Sequence, residues 1–98
     1  MTVVYSSKAD ASFDFDYYLN QHIPMVVGFL GTSIEVQKGI LSPMDSWLAV
    51  VSIARMGINS LDHFQTTMAP SGQRILSDIP TYANTEPQLQ IEEVVRSH

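Results

Sequence analysis

The sequence predicts an α+β fold in the order β-α-β-β-α-β, and three observations carry that prediction. Four segments, residues 1–6, 32–41, 46–56 and 88–95, have the alternation or the β-branched and aromatic content of strands. Two segments, beginning at Phe15 and Leu61, place apolar residues at the spacing of an amphipathic helix. Between them lie short clusters of Gly, Pro, Ser, Asn and Asp that mark turns. This order is the split-βαβ arrangement of ferredoxin-like folds, a four-stranded antiparallel sheet with two helices on one face.

Bulk properties set the frame. At 98 residues and 45% hydrophobic content, the chain supports one domain, residues 1–98, with one modest core. The net charge is -5, and the five cations Lys8, Lys38, Arg55, Arg74 and Arg96 are dispersed, so neither nucleic acid nor an anionic membrane is an expected partner. Absence of cysteine excludes disulfides, thiolate metal sites and cysteine nucleophiles. No basic and apolar leader opens the sequence, and no apolar run approaches the roughly 20 residues that span a bilayer. A soluble, cytoplasmic protein is expected.

In the first strand, Val3 and Tyr5 fall on one side and Val4 on the other. The first helix is capped by Ser12 or Asp14, and Asp14 and Asp16 suit its positive N-terminal end better than they suit an acid pair. Its apolar face is Phe15, Tyr18, Leu19, His22, Val26, Phe29 and Leu30, so His22 points into the core. Pro24 has no N–H and crowds the Asn20 carbonyl, which predicts a kink or restart beside His22. Gly31 terminates the segment.

The second strand sets Ile34, Val36 and Ile40 against Ser33, Glu35 and Gln37. After the turn Ser42-Pro43-Met44-Asp45 the third strand is apolar on both sides, with Trp47, Ala49, Val51 and Ile53 opposite Leu48, Val50, Ala54 and Met56. A strand of that kind is covered twice, by the helices and by a second subunit. The second helix, capped by Asn59, buries Leu61, Phe64, Met68, Gly72, Ile75, Leu76 and Ile79, and Pro70 is expected to break it. His63 lies off that stripe, at the surface or at a pocket rim, and Arg74 and Asp78 form an exposed i, i+4 pair. Residues 82–87 connect to the last strand, where Leu89, Ile91 and Val95 alternate with Gln90, Glu92 and Val94.

Two readings of His22 stand side by side. It is either a hydrogen-bonded core imidazole or an acid/base at the polar end of an apolar pocket formed with Tyr18, Trp47, Phe64 and Met68. Metal binding has little support, since no H-x-x-x-H or H-E-x-x-H spacing is present, and no nucleophile elbow or phosphate-cradling glycine loop appears.

Tyr17-Tyr18 with His22-Ile23-Pro24-Met25-Val26 resembles the Y-Y-x-x-x-H-x-P helix of the EthD-like family. Phe64 to Pro70, Asp78-Ile79-Pro80-Thr81-Tyr82 and Pro87 to Val94 are similar to that family's late helix, aspartate-bearing turn and final strand. The resemblance spans essentially the whole chain. It implies a dimeric α+β barrel, a homodimer through the open sheet face, with His22, Pro24 and Asp78 at the family's histidine, proline and aspartate positions.

The leading expectation is an enzyme without metal or organic cofactor, acting on a small hydrophobic, aromatic or polyketide-like compound. His22 would act as general acid or base, Tyr18 or Tyr82 would orient a substrate oxygen, and Tyr5, Trp47, Phe64 and Met68 would contact the substrate. A stretch near Pro70 would admit it. The alternative is a non-catalytic carrier or accessory protein of a degradative pathway using the same pocket, and a third reading makes the dimer an assembly module.

Overall fold

A computed structural model describes residues 1–7, 10–40, 50–58, 60–93 and 95. The elements are β1 (Thr2–Ser6), α1 (Phe15–Tyr17), a π-helical turn (Tyr18–His22), α2 (Ile23–Leu30), β2 (Ile34–Lys38), β3 (Val50–Met56), α3 (Leu61–Tyr82) and β4 (Gln88–Gln90). The four strands form one antiparallel sheet in the order β2-β3-β1-β4, with the helical segments on one face. This is the predicted α+β, ferredoxin-like arrangement.

Strand register decides which residues face the helices. Val3 is opposite Ala54 on one side and Leu89 on the other, and Val36 is opposite Ala54, so Val3, Tyr5, Ile34, Val36, Ala54, Met56 and Leu89 share the covered face. The other face carries Val4 and Ile53 among Thr2, Glu35, Gln37, Arg55, Gln88 and Gln90, and Arg55 Nη1 donates to Gln37 Oε1 at 2.7 Å across it. Of the residues expected opposite Val50, Ala54 and Met56 on the third strand, Ile53 is on the other face but Val51 is not. Tyr5 pairs with Ser52 and Ser6 with Val50, which leaves Val51 as the extra residue of a β-bulge, packed against the buried aromatic residues. Trp47, Ala49 and the rest of residues 46–49 lie outside the described residues. The last strand is shorter than expected, ending at Gln90, with Val95 92% exposed.

Asp14 is the first helix cap, its Oδ1 accepting the Tyr17 N–H at 3.1 Å. The irregularity expected beside Pro24 is a π turn: the Ile23 N–H bonds to the Tyr18 carbonyl five residues back, so one extra residue fits in before Pro24, near the start of α2. That turn explains why Leu19, expected on the buried face, is 46% exposed. Three residues of α-helix advance about 300° and would bring Leu19 close to His22, whereas a π turn advances only about 245° over three residues and swings it outward. Tyr18, His22 and Val26 remain buried along the seam. Gly31 ends α2 with a left-handed φ of 67°, and its N–H bonds to the Val27 carbonyl at 2.8 Å.

The second helix is not broken. α3 runs for 22 residues through both Pro70 and Pro80. Each proline removes one helical bond, but both are exposed, and so are Thr66 and Leu76, whose carbonyls are left without that bond and can meet water. Burial of Ile75 and Tyr82, with Met68 and Ile79 half-buried beside them, offsets the loss. The segment around Pro70 is thus part of a continuous helix rather than a separate piece. Its cap is Ser60, whose Oγ accepts the His63 N–H at 3.0 Å; the expected cap, Asn59, lies outside the described residues. Leu61 and Leu76, placed on the buried stripe by spacing, are 52% and 57% exposed. Tyr82, expected in the connection, is the last residue of α3 and is buried.

A short clasp ties the start of α1 to the end of α3. The Asp14 N–H bonds to the Tyr82 carbonyl at 2.7 Å, Phe13 and Ala83 form an antiparallel bridge, and the Asn84 side chain accepts from the Ser12 N–H and donates to the Asp10 carbonyl, each at 2.7 Å. Tyr5, Tyr18 and Tyr82 are thereby gathered into one cluster around Phe13, with edge-on ring contacts between 4.9 and 5.8 Å from Phe13 to Tyr18, Phe13 to Tyr82 and Tyr5 to Tyr18. Among the described residues, no helix is long and apolar enough to cross a membrane.

Candidate functional site

His22 sits at the end of the π turn and is 5% exposed. Its ring lies nearly parallel to that of Tyr18, 5.7 Å away, and 4.7 Å from the Tyr82 ring. Nδ1 lies 2.9 Å from Asp78 Oδ2, reaching across from α3. Asp78 Oδ1 accepts the Tyr17 hydroxyl at 2.7 Å. Burial alone would raise the Asp78 pKa, but the bonds from Tyr17 and His22 outweigh it and hold the carboxyl below its usual value. An ionised carboxylate only accepts, so the Nδ1–H donates and the lone pair of neutral His22 is on Nε2. No hydrogen bond to Nε2 forms among the described residues. Burial pulls the His22 pKa below its ordinary value, and Asp78 only partly reverses this, so the neutral imidazole is favoured.

On the inner side, His22 lines an apolar cavity of about 60 Å³ between helices and sheet. Tyr5, Tyr18 and Met68 line it too, with Val26, Ile75 and Ile79 among the apolar walls, and Leu76, Pro87 and Leu89 from α3 and the β4 edge. Burial pushes the Tyr18 hydroxyl far above its ordinary pKa, so it stays a donor at every physiological pH. Ser52 Oγ is close enough to moderate that shift but completes no hydrogen bond of its own. The Tyr5 and Tyr82 hydroxyls bond to each other. One lone pair on imidazole and one phenolic donor in an apolar enclosure can remove a proton from a bound molecule while holding its oxygen.

On the outer side, Tyr17 and Asp78 line a wide polar groove with Asn20, Gln21, Pro24, Met25, Arg74 and Ser77. Asp78 therefore stands between the cavity and the surface.

Of the residues singled out from sequence, Tyr5, Tyr18, His22 and Met68 come together on one cavity. Tyr82 stands behind it, its ring against His22 and its hydroxyl on Tyr5. Phe64 is elsewhere, lining a separate small depression with His63, which is exposed as expected. Trp47 lies outside the described residues. Sequence reasoning missed the bonds of Asp78 and gave Tyr17 no role. Tyr17 and His22 are five residues apart, about 140° apart on an α-helix, and only a π turn brings them to one carboxylate. Among the described residues, no three His, Asp or Glu side chains converge on a point that could hold a metal.

No family model and no curated protein matches the chain. Among solved structures, an EthD-like protein from Ralstonia eutropha JMP134 is similar with a TM-score of 0.88 and 34% identity, over 99% of this chain and 91% of that one. An ethyl tert-butyl ether D (EthD) family protein from Bacillus halodurans C-125 has a TM-score of 0.58 at 18% identity, over 92% of this chain and 95% of that one, a likeness of fold alone. Near-complete coverage at 34% identity agrees with the tyrosine, histidine and proline pattern of the first helix, and the chain belongs to the EthD-like family.

Proposed function

We propose that the protein is a cofactor-free acid/base enzyme acting on a small apolar compound that bears a polarised oxygen. The observation that carries this reading is the His22–Asp78 pair at 2.9 Å, which leaves Nε2 as the basic nitrogen of a residue that lines an apolar cavity together with Tyr18, whose hydroxyl burial keeps neutral. His22 Nε2 takes a proton from carbon or oxygen of the substrate, Tyr18 donates to the substrate oxygen, and Asp78 holds the imidazole and stabilises its charged form. A cavity of about 60 Å³ admits only a small group unless Met68 and Leu76 swing aside. This favours substrates whose reacting end is compact. The protein acts as a homodimer through its open sheet face, where Val4 and Ile53 are the apolar centre, and sedimentation at micromolar concentration tests that assembly.

Deuterium wash-in tests the chemistry without a known substrate. Small ketones and β-dicarbonyl compounds are incubated with the protein in heavy water, and exchange at the carbon next to the carbonyl is followed by NMR. Catalysed exchange that disappears in His22→Gln and falls in Tyr18→Phe is expected; exchange undiminished in His22→Gln overturns the assignment. A carrier is the second reading, favoured by the Tyr5 and Tyr82 hydroxyls being spent on one another. It predicts thermal stabilisation by the same compounds with exchange no faster than in heavy water without protein.

A further inference from the structure

We propose that Tyr17 is a positioning residue for His22, holding the Asp78 carboxylate turned inward against the pull of Arg74. The inference rests on His22 being the acid/base group, and it concerns how that group is kept ready.

Asp78 has two oxygens and three neighbours competing for them. His22 takes Oδ2 at 2.9 Å from the π turn, Tyr17 takes Oδ1 at 2.7 Å from α1, and Arg74 lies one turn earlier on α3, lining the same outer groove. Arg74 favours the same negative charge from the solvent side. The carboxylate side chain is 20% exposed, so it is not locked in place by packing. Its inward orientation depends on hydrogen bonds. Two of them come from the first helical segment, and both converge on one carboxylate only because the π turn brings residues 17 and 22 to a common side.

The Tyr17 ring is itself fixed, nearly parallel to Tyr82 at 6.1 Å, so its hydroxyl is presented at a set place. If that hydroxyl is removed, Oδ1 is left without its donor and the carboxylate is free to rotate toward Arg74 and groove water. His22 then loses its Nδ1 acceptor for part of the time. Two consequences follow. The imidazole redistributes between its two neutral tautomers, and its pKa falls further, because the charge that supported the imidazolium has moved away while burial is unchanged. The groups that bear on this titration are Asp78 and Arg74 from α3, Tyr17 from α1, Tyr18 in the π turn and Tyr82 at the helix end.

Histidine-labelled protein examined by long-range proton–nitrogen NMR reads both quantities without any substrate. Wild type is expected as the Nδ1–H tautomer. Tyr17→Phe, which keeps the ring on Tyr82, shifts His22 toward a mixture with Nε2–H and lowers its pKa by about half a unit. Arg74→Gln alone leaves the tautomer in place, and adding Arg74→Gln to Tyr17→Phe restores most of the wild-type spectrum. A Tyr17→Phe spectrum identical to wild type overturns the proposal, and so does a double variant that fails to recover. Asp78→Asn separates the two levels of argument. If it changes the His22 tautomer while Tyr17→Phe does not, only the role of Tyr17 falls; if neither variant changes it, the His22–Asp78 pair and the acid/base reading built on it fall together.

Discussion

The pair of buried phenols offers a decisive test of how this core is held. Tyr5 and Tyr82 are 1% and 2% exposed, and their hydroxyls are bonded to one another. Burial pushes both pKa values up, so both stay neutral and the interaction is an ordinary hydrogen bond between uncharged groups. Replacing Tyr82 by Phe preserves the ring contacts with Phe13 and Tyr18 but leaves the Tyr5 hydroxyl sealed without a partner, at a cost of about 1–3 kcal/mol. Tyr5→Phe does the same to Tyr82. In the double variant no hydroxyl is stranded, and only the net worth of the bond, about 0.5–1.5 kcal/mol, is lost. The expected result is therefore non-additive: each single variant unfolds at lower urea than wild type, and the double variant is no worse than either single. Since about 1 kcal/mol moves the midpoint of a domain this size by roughly 4–8 °C, thermal scans resolve the difference as well. Single losses that simply add in the double variant would show that the two hydroxyls do not depend on each other.

Acid should weaken the fold through His22 before it does so through Asp78. The His22 pKa is lower in the folded than in the unfolded chain, so its contribution is fully present above about 6.5 and is lost as pH falls through the folded value; Asp78, also lowered, contributes above about 4 and is lost only in stronger acid. Urea midpoints from pH 7 to 5 should fall in wild type and lie flatter in His22→Gln, and an equal slope in both proteins contradicts the assignment. At Gly31 the backbone is left-handed, with φ 67°, and nothing stands within 4 Å of an added Cβ, so Gly31→Ala carries a purely conformational cost of about 1 kcal/mol, less for Gly31→Asn. A Gly31→Ala variant with the wild-type urea midpoint contradicts that reading.

The sheet and the helix order were legible because they depend on local period and on turn residues. Alternation in residues 32–41 and 1–6 puts Val36, Val3 and Tyr5 on the face the structure covers, and Gly31 was recognisable as a helix terminator from its type alone. What was not legible follows from features that period cannot express. A bulge at Val51 and a π turn at residues 18–22 each add one residue to a regular element, and each shifts side chains from where counting places them. Leu19 was misplaced for that reason, and so was the relation of Tyr17 to His22. The expectation at Pro70 failed differently. A proline costs about 3 kcal/mol locally, whereas α3 is held by tertiary burial, chiefly of Ile75, Ile79 and Tyr82 in its second half. His22, Tyr18, Tyr5 and Met68 each fall on the inward face of their element and meet on one cavity, which Phe64 on the same predicted stripe does not reach, while Asp78 reads by spacing as an exposed helical partner of Arg74.

Pro24 raises the question of what holds the π turn in place, and magnitudes give an answer. In Pro24→Ala the new N–H can donate to the Asn20 carbonyl, and an α-helical register across residues 18–24 becomes available, with a net gain of about 1 kcal/mol for the extra bond. Taking that register would rotate His22 away from Asp78. A hydrogen bond to a charged acceptor is worth about 1.5–3 kcal/mol, and a buried imidazole left without it adds its own desolvation cost. The tertiary bond outweighs the local one. Pro24→Ala is therefore expected to keep the π turn, with amide shifts of Leu19 to Ile23 and the His22 tautomer close to wild type. Asp78→Ala, which leaves proline in place, should be the variant that disturbs them. If Pro24→Ala moves the His22 resonances and Asp78→Ala does not, the proline builds the site and the carboxylate merely occupies it.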